Sequence, residues 1–256
     1  MTRIGVVLRP DLPPETIVDR AREADEAGVD EVWLWEDCFY SGGIATAAVV
    51  LASTRGVCVG IGVLPTPLRN IALTAMEIAT LARVHPGRLR VGLGHGVQSW
   101  MGQVGNRVQS PMTLLREQMG ALTSLLAGDT VTVHGRYVDL TDVGLDWPPP
   151  QVPPLLIGAT GPKTLALSGE LAAGTILTSD TDPEQLRVAC NHIAGSPKHE
   201  IVVYVECTDD DEASAAHLRR WIDAGATTIV LEPAAETTDL TGLFERAVQL
   251  RSEFGS

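Results

Sequence analysis

A (β/α)8 barrel of the TIM type is the fold class predicted for this chain, and three observations predict it. Apolar strands and helical periods alternate eight times, most strands read as continuous runs of Val, Ile and Leu, and 256 residues is the usual length of one such barrel. A strand covered by helices outside and by the barrel interior inside has no wet face, so it loses the polar alternation of a one-sided sheet. No linker interrupts the alternation, so residues 1–256 are expected to form a single domain.

Arg3 to Leu8 is the first strand, and Pro10, Pro13 and Pro14 lead into a helix from about Glu15 to Ala27 that ends at Gly28. Glu31 to Trp35 is the second strand and runs into Glu36-Asp37-Cys38-Phe39-Tyr40. The helix Ile44 to Ser53 is apolar almost all round, which predicts burial against the barrel and against something else; a homodimer is the expectation. Val57 to Leu64 is the third strand, stopped by Pro65-Thr66-Pro67, where prolines remove ladder donors. Ile71, Ala75, Ile78, Ala79 and Ala82 repeat at helical spacing from Asn70 to Val84, and Pro86-Gly87 ends that run before the fourth strand, Leu89 to Leu93. A loop from Gln98 to Ser110, a helix from Pro111 to Leu126 and a polar insertion from Val131 to Asp146 follow. The remaining strands are Leu155 to Gly158, Thr175 to Thr178, Glu200 to Glu206 and Thr227 to Leu231. Helices Pro162 to Ala173, Pro183 to Ile193, Asp211 to Ala224 and Leu240 to Glu253 alternate with them.

In such a barrel, function lies where strands turn into the following loops. Those ends are Asp37 and Cys38, Gly62 to Thr66, His95 to Trp100, Gly158 to Gly161, and Thr178 and Ser179. Gly60 and Gly62 are two apart on the third strand, and Gly92, Gly94 and Gly96 two apart on the fourth, so each set shares a face. Glycines aligned on neighbouring strands predict either tight core packing or the approach of something flat to the backbone.

A net charge of −13, from 19 Lys plus Arg against 32 Asp plus Glu, argues against a nucleic-acid partner. No apolar run is long and unbroken enough to span a bilayer, and the N-terminus shows no basic-apolar-small signal pattern, so a cytoplasmic protein is expected. Cys38, Cys58, Cys190 and Cys207 lack metal spacing and read as reduced thiols. The six histidines show no HxH or HExxH pattern, so no metal site is expected.

The segment Gly158-Ala159-Thr160-Gly161-Pro162-Lys163 opens a helix with proline in its first turn. Free amides there, the Thr160 hydroxyl and the Lys163 charge suit a phosphate, and the same residues equally make an ordinary glycine-capped turn. Gly92-Leu93-Gly94-His95-Gly96 lacks the third glycine of a dinucleotide fingerprint. Asp37 follows apolar strand residues, where partial desolvation suits a bond to a ligand N–H or proton work.

The stretches VWLWED, VGIGVLPTPLRN, HPGRLRVGLGHG and PPLLIGATGPKTLALSGELAAGTIL, within Val6 to Thr178, resemble the bacterial luciferase-like superfamily. Its members are (β/α)8 barrels that use coenzyme F420 or FMN. The resemblance implies that Asp37 hydrogen-bonds the deazaflavin ring system and that Gly62-Val63 forms a non-prolyl cis peptide bulge behind it. It also implies that His95, Gly96 and Val97 line the cofactor and that Gly158, Ala159, Thr160 and Gly161 seat its phosphate. The sugar-phosphate dehydrogenases of the superfamily carry a histidine and a glutamate where this chain has Cys38 and Val97, which argues against that activity. Monooxygenases of the superfamily also tend to have a histidine near the position of Cys38, which weakens that assignment as well. Little room remains for the long segments that cover substrate in the family, so the pocket is expected to be open or completed by a partner.

Three functions stand in competition. The first is an F420-dependent oxidoreductase transferring a hydride between the deazaflavin and a small organic substrate, with no residue assigned as its acid or base; Asp37 and the Lys-poor, GC-rich type of composition favour it. The second is an FMN-dependent monooxygenase. The third is a non-catalytic flavin-binding protein, motivated by Cys38 and Val97.

Overall fold

The computed structural model describes residues 2–207, 214–235, 237 and 239–254. In chain order its elements are β1 (Arg3–Val7), α1 (Ile17–Ala27), β2 (Glu31–Leu34), α2 (Gly43–Ser53), β3 (Cys58–Pro65), α3 (Ile71–Val84), β4 (Leu89–Gly94), α4 (Gln98–Gln103) and α5 (Pro111–Ala127). They continue with β5 (Val131–His134), β6 (Asp139–Val143), β7 (Leu155–Gly158), α6 (Pro162–Leu171), β8 (Gly174–Leu177), α7 (Pro183–Ile193), β9 (Glu200–Cys207), α8 (Ala215–Ala224), β10 (Thr228–Pro233) and α9 (Thr241–Phe254). Eight strands close a parallel barrel in the order β1-β2-β3-β4-β7-β8-β9-β10, the (β/α)8 fold expected. The polar insertion folds outside it as the antiparallel hairpin β5-β6.

Local chemistry sets the helix ends. Gly28 ends α1 at φ 85°, a left-handed cap that costs glycine nothing. Asn70 opens α3 by accepting from the amides of Ala72 and Leu73, and Asp182 with Gln185 makes a reciprocal capping box at α7.

Two sequence expectations need correction, the loop after β4 and the end of the last barrel strand. The segment expected as a loop from Gln98 begins with the short helix α4, which buries Met101 completely. Gly102 and Gly105 hide that turn from a propensity reading, and tertiary burial overrides them. The helix α2 buries Ile44, Ala47, Val50 and Leu51 but leaves Val49 43% exposed, so only one of its apolar faces is covered within the chain. The last barrel strand runs on to Pro233, past the expected end at Leu231. The helix start expected at Asp211 lies outside the described residues.

Alternate strand residues separate into two cores. Ile4, Val32, Leu34, Val59, Ile61 and their counterparts pack against the helices. Val7, Trp33, Leu156, Ile176, Val202, Tyr204 and Val230 fill the barrel. Trp33 is fully buried, and a Cβ on Gly60 would stand 2.4 Å from its ring, one on Gly5 2.7 Å. Below it, Trp33 Nε1 donates to Glu31 Oε2 at 3.0 Å. Glu31 meets Arg3 at 3.1 Å and Arg90 at 3.6 Å, and Arg90 also pairs with Glu200, so an ion network closes the lower end of the barrel.

Candidate functional site

A cleft of about 500 Å³ opens at the end of the barrel where strands run into their following loops. Its floor comes from β3. The Gly62-Val63 peptide is cis, as the resemblance implied, and so is Cys38-Phe39, which the sequence did not announce. Val63 turns into the barrel, where a Cβ on Gly94 would stand 2.5 Å from it and one on Gly158 2.7 Å. The inward glycines of β4 and β7 therefore make room for a protein side chain, Val63, and Gly60 makes room for Trp33. The tight-packing alternative describes these positions, and a ligand would lie on Val63 rather than on bare glycine backbone. Tyr204 rises from β9 beside this floor and donates its hydroxyl to the Gly62 carbonyl at 3.2 Å.

One wall is acidic. Asp37 Oδ2 accepts from Trp35 Nε1 at 2.8 Å. Burial pushes the Asp37 carboxyl above the usual aspartate range, more than the Trp35 bond and the Arg9 charge pull it back. Glu232, near the end of β10, is also raised by burial, against a Ser179 hydrogen bond and the Arg9 guanidinium and with help from Glu206 and Asp37. Arg9 lies 3.6 Å from Glu232 and is forked onto Asp11, with both contacts at 3.2 Å. Glu36 also borders the cleft, but Arg69 and the amide of Gly43 engage its carboxylate.

The opposite wall is neutral. His95 Nε2 meets the Thr164 hydroxyl at 3.0 Å. Burial holds the His95 pKa below its ordinary value, only partly offset by the Pro111 carbonyl, so the ring is uncharged at neutral pH. Helix α6 starts at Pro162, which has no N–H, with Gly161 as its N-cap and no side chain capping it; the Thr164 amide already donates to the Gly161 carbonyl at 3.0 Å, so the amides of Gly161 and Lys163 are the ones left open to an acceptor.

Asp37, Gly62, Val63, His95, Gly96, Val97, Gly158, Ala159 and Thr160 all border this cleft, while Gly161 stands just outside it. Cys38 is not among the bordering residues, and its thiol is raised by burial and then by the charges of Glu36 and Asp37. Sequence reasoning missed Trp35, Tyr204 and Glu232. Counting in twos would have found the last two, because Glu200, Val202 and Tyr204 share one face of β9 and Thr228, Val230 and Glu232 one face of β10.

A sequence model of the family described as luciferase-like monooxygenase matches residues 1–252. A 5,10-methylenetetrahydromethanopterin reductase of Methanolobus tindarius is 30% identical over 241 residues, covering 89% of this chain and 73% of that protein. An F420-dependent glucose-6-phosphate dehydrogenase of Microbacterium testaceum is 32% identical over 183 residues, covering 67% of this chain and 54% of that protein, about half its length. The solved structure of the coenzyme F420 dependent tetrahydromethanopterin reductase from Methanopyrus kandleri shares the fold, with a TM-score of 0.84 at 18% identity over 97% of both chains. By the match along nearly its whole length, this chain belongs to the luciferase-like monooxygenase family.

Proposed function

We propose that this protein is an F420-dependent oxidoreductase that exchanges a hydride between the deazaflavin and a small organic substrate. The observation that carries the reading is the cleft: a carboxylate, Asp37, held in place by Trp35 beside the apolar Val63 floor, with helix-start amides across the barrel. The residues fit the group. A cleft of about 500 Å³ is of cofactor size, its floor is a flat apolar support, and Thr160 with the first amides of α6 supplies donors of the kind a phosphate needs. Bound there, the deazaflavin would supply the hydride chemistry. The chain would supply the rest. Asp37 accepts a hydrogen bond from the ring or its hydroxyl, Val63 supports the ring, and the Trp35 and Tyr204 rings, 5.9 Å apart, keep water from that side. Neutral His95 would add no charge to the wall opposite Asp37.

We further propose a homodimer in the cytoplasm. Val49 on α2 and Leu73 and Met76 on α3, 52% and 57% exposed, offer apolar surface suited to a second copy. Cys38, Cys58 and Cys190 carry free thiols, as expected of a reducing compartment, and burial with the Glu31 charge pushes the Cys58 thiol up to about 12. Among the described residues no helix is long and apolar enough to cross a membrane.

Parallel equilibrium titrations of the purified protein with F420 and with FMN test the cofactor. Tighter F420 binding is expected. Tighter FMN binding would move the assignment to an FMN-dependent monooxygenase, and binding of either without turnover of any substrate to a non-catalytic carrier.

A further inference from the structure

The cleft is electrically lopsided. On the barrel perimeter β10, β1 and β2 are consecutive, and β7 lies across from β1. The β10-β1-β2 arc brings Glu232 and Asp37 to the cleft, whereas β7, β8 and the start of α6 bring the hydroxyls of Thr160, Thr164 and Thr178. Among the described residues no Lys or Arg borders the cleft. The sequence outside the described set, Met1, Thr208 to Ala213, Glu236, Thr238, Gly255 and Ser256, contains no Lys or Arg either.

We infer that the β10-β1-β2 arc accepts a neutral or cationic group of the substrate and rejects an anionic one, with Glu232 as the residue that sets this selectivity. The acidic residues do not define the site; the cleft does, and they set its charge. Arg9, from the segment after β1, faces Glu232 and is itself forked onto Asp11, while Asp37 after β2, Ser179 after β8 and Glu206 on β9 also act on Glu232. Three of these are carboxylates and one is a guanidinium, which Asp11 already shares, so Glu232 and Asp37 keep unbalanced negative charge. Burial raises both carboxyls by desolvation, and a ligand cation or N–H donor beside them would favour their charged forms. A phosphate or carboxylate at contact distance from Glu232 would instead meet like charge in a half-buried wall, weakening binding by about a hundredfold or more. A phosphorylated substrate therefore does not fit this arc, although a sugar-phosphate dehydrogenase is among the similar proteins. An anionic cofactor tail is compatible only with the opposite wall, at the start of α6.

The inference rests on the hydride-transfer reading only in calling the ligand a substrate; the charge preference belongs to the cofactor-free cleft and is measured there. Calorimetric titration with benzoate, benzamide and benzamidine presents one ring with charge −1, 0 and +1. Benzamidine should bind at least about tenfold tighter than benzoate, with benzamide between them. Glu232→Gln should weaken benzamidine by about tenfold while changing benzamide by less than about threefold. Benzoate binding as well as benzamidine, or a benzamidine preference that survives Glu232→Gln, would overturn the inference.

If none of the three binds, quenching of the cleft indoles reads the same field. In a Trp147→Phe background the partly accessible tryptophans are Trp35 and Trp100, while Trp33 and Trp221 are buried. The ratio of cesium to iodide quenching should then fall on Glu232→Gln, and an unchanged ratio would refute the idea. Failure of F420 to bind would sink the cofactor proposal and leave both of these readouts intact.

Discussion

Replacing Asp37 by Asn separates what its carboxylate does for a ligand from what it does for the fold. The amide oxygen of Asn can still accept from Trp35 Nε1, now bonded at 2.8 Å, so the side chain stays in place and only the charge is lost. A hydrogen bond to a charged acceptor contributes about 1.5–3 kcal/mol and a neutral one about 0.5–1.5, so Asp37→Asn should weaken F420 by about 1–1.5 kcal/mol, roughly five- to tenfold in Kd. Asp37→Ala removes the whole bond, roughly ten- to a hundredfold, and also strands the Trp35 indole N–H at a cost of about 1–3 kcal/mol in stability. FMN lacks the ring hydroxyl, so its Kd should change by less than about threefold.

The pH dependence runs in opposite directions for folding and for binding. The folded carboxyl holds its proton more tightly than the unfolded one, because burial raises it. Its contribution to stability is therefore fully present below the ordinary aspartate range and is lost as pH rises through the raised folded value. Asp37→Asn should thus melt with wild type at about pH 4 and above it at about pH 8, whereas wild-type affinity for F420 should grow over that interval as the carboxylate forms. Fluorescence titration and thermal melts at several pH values measure both. Equal F420 affinity in wild type and Asp37→Asn, or affinity that rises on acidification, would refute the assignment.

Gly161→Glu should fold normally, since a Cβ there meets no atom within 4 Å and φ is −89°, yet should weaken cofactor binding by about tenfold or more if its phosphate lies at the start of α6; unchanged affinity would place the phosphate elsewhere. Gly60→Ala drives a methyl to 2.4 Å from the Trp33 ring, which cannot swing away because Glu31 holds its N–H, so a loss of about 1–3 kcal/mol is expected in urea titration and an unshifted midpoint would contradict the packing account. Val49→Asp should cost the monomer little, because Val49 is 43% exposed, but should shift a dimer to monomer in sedimentation; a wild-type protein already monomeric at micromolar concentration would dispose of the dimer.

The barrel and most of one side of the cleft were legible in the sequence. Strand and helix periodicity is local, so each turn's apolar spacing reports its own burial, and eight repeats of it leave few architectures to choose from. The ends of β2, β3, β4 and β7 follow from the same periodicity, and those ends carry Asp37, Val63, His95 and Thr160 to the cleft. What the sequence could not decide was what each glycine is for. Gly60, Gly94 and Gly158 look like space left for a ligand, and only the register of neighbouring strands shows that Trp33 and Val63 fill it. Nor could it pair Asp37 with Glu232, two carboxyls from opposite ends of the chain. Their shared environment exists because the barrel closes, setting β1 between β10 and β2, and closure is a property of the whole sheet that no local pattern carries.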